Sequence, residues 1–152
     1  MEKLNLGCGK NWQSYPGFDG QDIVDFGQRL IFDMEEIPWP IADEHYKEIR
    51  AFSVLEHIHQ DKVIAVMNEC WRILKRGGKF HIKVPKFPHD NAVQDPTHFS
   101  FWVPKTFTLY FAGKSPMNAD YGIQKWGICN DGKGNYLMEI DDRNIDIWLY
   151  KK

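Results

Sequence analysis

The chain is short of the features that mark several protein classes. Its 152 residues hold no apolar run near the ~18 residues that a membrane-spanning helix needs. Met1-Glu2-Lys3 leads into glycine-bearing sequence too soon for a secretory leader, and a cytoplasmic location is the resulting expectation. Cysteine is scarce: Cys8, Cys70 and Cys129 are scattered, odd in number and without a Cys-x-x-Cys pair. That pattern suits reduced packing thiols, not a disulfide frame or a zinc cluster. An excess of one charge is missing too. With 19 basic against 21 acidic residues and a net charge of −2, there is no polybasic field for broad capture of nucleic acid or of an anionic membrane. No repeat, low-complexity tract or long charge block marks a linker. Residues 1–152 therefore read as a single domain, which at this length buries roughly 68–70% of its unfolded surface in one core.

What is present is an alternation of short elements. Lys3–Leu6 is a strand candidate running into Gly7-Cys8-Gly9, and Phe18–Val24 is a second one after the Tyr15-Pro16-Gly17 turn. Only eight residues separate Gly9 from Phe18. A parallel crossover normally takes about a dozen or more, so any helix here shrinks to a turn or two that Pro16 ends. Ile31-Phe32 and Tyr46–Phe52 are further strands, on either side of the proline-stiffened loop Ile37–Ile41. The clearest helix starts at Asp61 as N-cap, carries Ile64, Met67, Trp71 and Leu74 at helical spacing, and stops at Gly77-Gly78. Phe80, Ile82 and Val84 then alternate with His81 and Lys83. After the loop Lys86–Val103 and a short helix over Thr106–Phe111, the segments Ile123–Cys129, Tyr136–Ile140 and Ile145–Tyr150 read as strands joined by turns that permit antiparallel pairing. The expected class is α/β: an open, mostly parallel sheet with an antiparallel C-terminal edge and reduced helices. Ligands of such sheets sit outside the carboxyl ends of the strands.

The chemistry-bearing residues cluster at those ends. Gly7 and Gly9 let the chain turn sharply and approach a ligand, although a bare Gly-x-Gly is often a mere turn. Asp22, fifteen residues beyond Gly7, ends the second strand, where a carboxylate can accept from both hydroxyls of a ribose. Asp33 and Met34 follow the third strand, as an acid and an apolar side chain suited to an adenine amino group and ring face. Glu35 and Glu36 read as surface charge.

Taken together, Leu4–Asn11, Asp22, Asp33, Ile37-Pro38-Trp39, Ser53–Ile58, Trp71–Gly78 and Asp95-Pro96-Thr97-His98 resemble, in order and spacing, the class I S-adenosylmethionine-dependent methyltransferases, and most closely their type-11-like group. The resemblance covers about residues 3–111. It rests chiefly on Leu-Glu-His followed by Leu-Lys-x-Gly-Gly. It implies a seven-stranded Rossmann-like sheet, a methyl-transfer activity and S-adenosylmethionine as cofactor. By the same resemblance Asn5, Gly7, Cys8 and Gly9 contact the cofactor, with the two glycines along its methionine part. Asp22 holds the ribose, Asp33 and Met34 address adenine, and Ser53 and Leu55 border the sulfonium. The sequence departs from the family at Lys10-Asn11, where a further glycine is common, in its vanishing first helix and in the absence of covering helices before the first strand. These departures imply an open site that a partner protein or a second copy could cover.

Methyl transfer is a direct displacement, so alignment and water exclusion matter more than a base. Where the acceptor must lose a proton, His98 or His57 can take it, with Asp95 orienting His98. The competing reading of Asp95–His98 is a rigid capped loop. His89, Phe99 and Trp102 offer a stacking platform for a planar acceptor, such as a nucleobase-like group or small aromatic molecule, or else they are core. No metal site is expected. His57 and His59 lie two residues apart and point away from each other at a helix start, and a set drawn from His89, Asp95, His98 and Cys129 is the minor alternative. The rival function is a noncatalytic cofactor-binding adaptor. A nicotinamide enzyme is disfavoured because Trp12 stands where Gly-x-Gly-x-x-Gly needs its last glycine.

Overall fold

The computed structural model describes residues 1–152. Its strands are β1 (Lys3–Leu6), β2 (Asp19–Asp22), β3 (Leu30–Ile31), β4 (Tyr46–Phe52), β5 (Leu74–Pro85), β6 (Trp126–Ile128), β7 (Met138–Ile140) and β8 (Asn144–Lys151). They form one sheet in the order β3-β2-β1-β4-β5-β8-β6, with β7 also paired to β8. The first five strands are parallel to their neighbours, and β8 runs antiparallel to β5, β6 and β7.

The C-terminal strands form the expected antiparallel edge, with both β6 and β7 paired to β8. β6 and β7 lie end to end along the same edge of β8, Ile128 level with Leu149 and Met138 level with Ile147. The Cys129 N–H donates to the Trp148 carbonyl (2.8 Å) and the Leu137 N–H to the Cys129 carbonyl (2.8 Å). Asn130–Tyr136 is thus an excursion from one interrupted edge strand, and counting that strand once leaves seven.

The long helix α1 spans Val63–Ile73 and buries Val63, Val66, Met67, Cys70 and Ile73. Its ends differ from the sequence expectation. Asp61 lies in a preceding turn, Gln60–Lys62, and Lys62 is the N-cap, with no side-chain capping bond. The helix stops before Gly77-Gly78, because Leu74 is already paired with Tyr46 and the glycines form an irregular step before Lys79 pairs with Glu48. Strand pairing takes the residue that helical periodicity had claimed.

The first crossover is as short as its length requires: one turn, Trp12–Ser14, with the Trp12 indole donating to the Phe26 carbonyl (3.1 Å). With no helix after β1 or β2, the two faces of the sheet differ. Leu4, Leu6, Ile49, Ala51, Phe80, Ile82, Val84, Ile145, Ile147 and Leu149 are fully buried on the face toward α1. On the other face Arg50 lies over Tyr15 (3.8 Å) and Phe52 (4.2 Å), and His81 stacks on Trp148 (3.9 Å). A parallel sheet usually has both faces covered by helices. Here cation–π and aromatic contacts cover one, which explains why β4 and β8 alternate and are not apolar throughout. No helix is long and apolar enough to cross a membrane.

Candidate functional site

The site is built at the carboxyl ends of β1 to β4. Directly after β1, Gly7 and Gly9 adopt left-handed backbone, φ +57° and +63°. They differ in surroundings. A Cβ on Gly7 would lie 2.3 Å from Val54 Cγ2, whereas one on Gly9 would meet nothing within 4 Å. Gly7 is therefore a packing requirement and Gly9 faces open space. The Gly9 N–H donates to Asp22 Oδ2 (2.9 Å), and the Val24 N–H to Asp22 Oδ1 (3.1 Å). Each carboxylate oxygen keeps a further lone pair for a ligand. Gln21, fully buried, accepts from the Gly7 N–H (3.2 Å) and donates to the Phe32 carbonyl (2.7 Å). One side chain thereby ties together the ends of β1, β2 and β3.

These turns surround a cleft of about 420 Å³, within the roughly 300–1,000 Å³ of small-molecule sites. Its wall holds the carboxylates Asp22, Asp33 and Glu35, the imidazoles His57 and His59, and no lysine or arginine. Asp33 accepts the Glu35 N–H (2.9 Å), and the Met34 carbonyl accepts from the Trp39 indole (2.8 Å), which sets the loop after β3. Glu35 accepts from the His59 N–H (2.6 Å) and lies 2.7 Å from its Nδ1. Burial pushes the Glu35 carboxyl up, but these His59 contacts outweigh it and hold it below its ordinary value. Ser53, at the end of β4, has φ +56°, a conformation that costs a side-chain-bearing residue about 1–2 kcal/mol. Strain of this kind gathers where a ligand is clamped.

The loop after β5 is fastened beside this cleft by backbone. The Phe99 and Ser100 N–H groups donate to the Glu56 carbonyl (2.8 and 3.1 Å), and Ser100 Oγ donates to the Leu55 carbonyl (2.9 Å). His57 and His98 consequently meet edge to face, ring centroids 4.8 Å apart. His57 Nδ1 lies 3.0 Å from the Thr97 carbonyl and His98 Nδ1 3.0 Å from the Ala92 carbonyl. Asp95 Oδ1 accepts from the Thr97 hydroxyl (2.6 Å) and N–H (2.8 Å), bonds that hold its carboxyl below the ordinary range. Asp95 Oδ2 stays 3.7 Å from His98 Nε2.

Of the residues singled out from sequence, Gly7, Asp22, Asp33, Met34, Ser53 and His57 line one cleft. Others lie elsewhere. Asn5 is buried within β1, and the Cys8 thiol packs over Gly20, with burial first and the nearby Asp22 second raising it to about 11. Leu55 is core, 1% exposed, because the turn that carries it inserts under α1. Trp102 is also core, stacked on Phe107 at 5.2 Å, and is no platform. His89 caps the helix turn Asp90–Val93, its Nδ1 accepting the Asn91 N–H (3.0 Å). Phe99 lies at the cleft rim, stacked 4.2 Å from His59 and nearly parallel to it. His57 and His59 do not point apart. They flank Ile58, whose backbone is extended, and both line the cleft. Gln21, Glu35 and His59 escaped the sequence reading. Gln21 sits in the strand Asp19–Asp22, which is polar at nearly every position, so nothing local set it apart.

The methyltransferase domain family model matches residues 19–82, from the start of β2 into β5. No match is found among curated proteins. Among solved structures, an S-adenosylmethionine-dependent methyltransferase from Archaeoglobus fulgidus superposes with a TM-score of 0.65 at 15% identity, over 98% of this chain and 85% of that one. A chain of the complex between the Haloferax volcanii Trm112 methyltransferase activator and a methyltransferase gives a TM-score of 0.61 at 14% identity, over 97% of this chain and 81% of that one. A Thermotoga maritima S-adenosylmethionine-dependent methyltransferase gives 0.65 at 12% identity, over 99% of this chain and 82% of that one. The chain thus has the fold of these S-adenosylmethionine-dependent methyltransferases over nearly its whole length, and residues 19–82 match the methyltransferase domain family model.

Proposed function

We propose that the cleft binds S-adenosylmethionine and that the protein transfers its methyl group to a small molecule or a planar, nucleobase-like acceptor. One observation carries this reading: the cleft wall holds three carboxylates and no lysine or arginine. That charge suits a sulfonium cation with a ribose diol and opposes a dinucleotide pyrophosphate. Asp22 would accept from the ribose hydroxyls, Asp33 with Met34 would take the adenine, and the open space over Gly9 admits the methionine part. The bound sulfonium supplies an electrophilic methyl; the acceptor's lone pair forms the new bond while the C–S pair returns to sulfur. What remains for the chain is to orient the acceptor and exclude water. His57 is the acceptor-side imidazole at the cleft, held by Thr97. His98, 9% exposed at its side chain, backs it from behind, with Asp95 beside it. Phe99 on His59 gives an aromatic face at the rim.

The lip is apolar and exposed. Ile23 and Val24, next to Asp22, are 62% and 50% exposed. A partner protein or second copy covering this lip would close the site, as fits a fold relative that is complexed with an activator. It also favours a second reading, a cofactor-binding module that becomes competent only with its partner.

Calorimetric titration with S-adenosylmethionine and S-adenosylhomocysteine tests the site. Wild type binds both, and Asp22→Ala weakens binding about 10- to 100-fold, the equivalent of a charged hydrogen bond of ~1.5–3 kcal/mol. Absence of binding to either ligand refutes the proposal. Binding without transfer to any acceptor in a labelled-methyl screen selects the module reading.

A further inference from the structure

Behind the cleft lies a group of side chains that the methyl-transfer reading does not use in full. Glu56 is 2% exposed, and its Oε2 has no hydrogen-bond partner. A buried carboxylate oxygen without a donor is unfavourable, and native proteins seldom keep one without a reason. Ligand atoms of Glu56, His57 and His98 lie within 4.8 Å of one another.

Both imidazoles are fixed through Nδ1. A carbonyl only accepts, so the bonded tautomer has the proton on His57 Nδ1 and His98 Nδ1, each 3.0 Å from a backbone carbonyl; the Thr97 hydroxyl, 3.1 Å from His57 Nδ1, is committed as a donor to Asp95. In each neutral ring the lone pair then resides on Nε2. Fixing a histidine through Nδ1–H to a carbonyl is the usual outer-shell arrangement behind a metal-bound Nε2. Asp95 Oδ2, 3.7 Å from His98 Nε2, stands by as a further oxygen.

From this geometry we propose that Glu56, His57 and His98 form a binding site for a first-row divalent transition metal or zinc. Two imidazoles and one carboxylate are the donor set such ions favour over magnesium or calcium, which prefer all-oxygen shells. Bond lengths of about 2.0–2.2 Å place ligand atoms roughly 3–3.5 Å apart, so side-chain rotations of about an ångström complete the shell. A bound cation would give the buried Glu56 Oε2 the partner it lacks. Because His57 also lines the cleft, the ion would border the place where an acceptor meets the methyl donor. This part rests on the methyl-transfer reading: the site favours an acceptor that presents a hydroxyl oxygen, whose proton the ion makes easier to lose to water, and both imidazoles are then ligands and not bases.

The test uses the full chain, stripped with a chelator, titrated with Co²⁺, followed by visible absorption and back-titrated with Zn²⁺. One equivalent of Co²⁺ is expected to bind with d–d bands and to be displaced by Zn²⁺. Glu56→Gln and His98→Ala are each expected to weaken Co²⁺ binding by at least about 10-fold. Without metal, Glu56→Gln melts no lower than wild type, since it removes a partnerless buried acid; with Zn²⁺ only wild type gains melting temperature. No Co²⁺ site in wild type, or wild-type Co²⁺ affinity in either variant, overturns the metal site. S-adenosylmethionine titration of the same samples separates the readings, since its failure with Co²⁺ binding intact removes the methyl donor and leaves the metal site standing.

Discussion

Gly7 and Gly9 share a sequence motif and a left-handed backbone, yet their replacement by alanine has different expected costs. At Gly9, φ +63° with nothing within 4 Å of a built Cβ, only the backbone term applies, about 1–2 kcal/mol. At Gly7, φ +57°, the new methyl would also sit 2.3 Å from Val54 Cγ2 and 2.8 Å from Val54 Cβ. A branched, buried side chain has no free end to swing away, so overpacking adds roughly 1–3 kcal/mol and brings the total to about 2–5 kcal/mol. For a chain of this size Gly7→Ala lowers the melting temperature by roughly 5–20 °C and Gly9→Ala by roughly 2–8 °C. Urea denaturation of Gly7→Ala, Val54→Ala and the double variant isolates the contact. On a Val54→Ala background, which removes the Cγ2 contact and keeps the Cβ, Gly7→Ala is expected to cost less than in the wild type, a coupling of about 1–2 kcal/mol. Equal costs at the two glycines, or a coupling below ~0.5 kcal/mol, would refute the assignment of Gly7 to packing.

Other consequences follow from charged groups outside the cleft. Glu69 accepts from the Trp39 N–H (2.8 Å) and from Arg72 Nη2 and Nε (both 2.7 Å). Burial pushes its carboxyl up, but Arg72 and the Trp39 N–H outweigh that and leave it lowered from 4.5. A lowered folded-state value means stabilisation that is complete above the unfolded value and lost as pH falls through the folded one. Glu69→Gln is therefore expected to cost about 2–3 kcal/mol at pH 7, with the gap closing below roughly pH 4; denaturant midpoints across pH measure it, and a pH-independent gap contradicts it. Arg50→Ala removes the cation lying over Tyr15 and Phe52, a loss of about 1–2 kcal/mol in thermal melts that Arg50→Lys restores only in part; full stability in Arg50→Ala rejects this covering role. On the opposite edge, a Cβ at Gly127 would lie 2.2 Å from the Tyr150 ring, so Gly127→Ala destabilises by about 1–3 kcal/mol unless Tyr150→Ala accompanies it. An unchanged melting curve for the single variant excludes that contact.

Much of the frame was legible because its signals are local. The strand Tyr46–Phe52 alternates, the glycine turn follows Leu6, and the eight residues from Gly9 to Phe18 leave no room for a full crossover helix. Periodicity misplaced the helix end because Leu74 satisfies both the helical stripe and the strand that pairs with Tyr46, and pairing is a long-range fact. The antiparallel edge was legible and its pairing order was not: turn residues show that the chain reverses, not which strand it returns to.

The sequence by itself determined the fold class, the methyltransferase resemblance and the candidates at the strand ends, since strand and turn preferences and motif spacing are properties of neighbouring residues. Tertiary structure alone decided which candidates share a cleft. It sent Leu55 and Trp102 into the core, where large apolar side chains gain most by leaving water, and brought Gln21, Glu35 and His59 to the site. It also joined Glu56 and His57 to His98, more than forty residues away in the chain, through two backbone bonds to the Glu56 carbonyl. Hydrogen bonds between distant segments leave no trace in local sequence, because a peptide carbonyl is the same acceptor at every position.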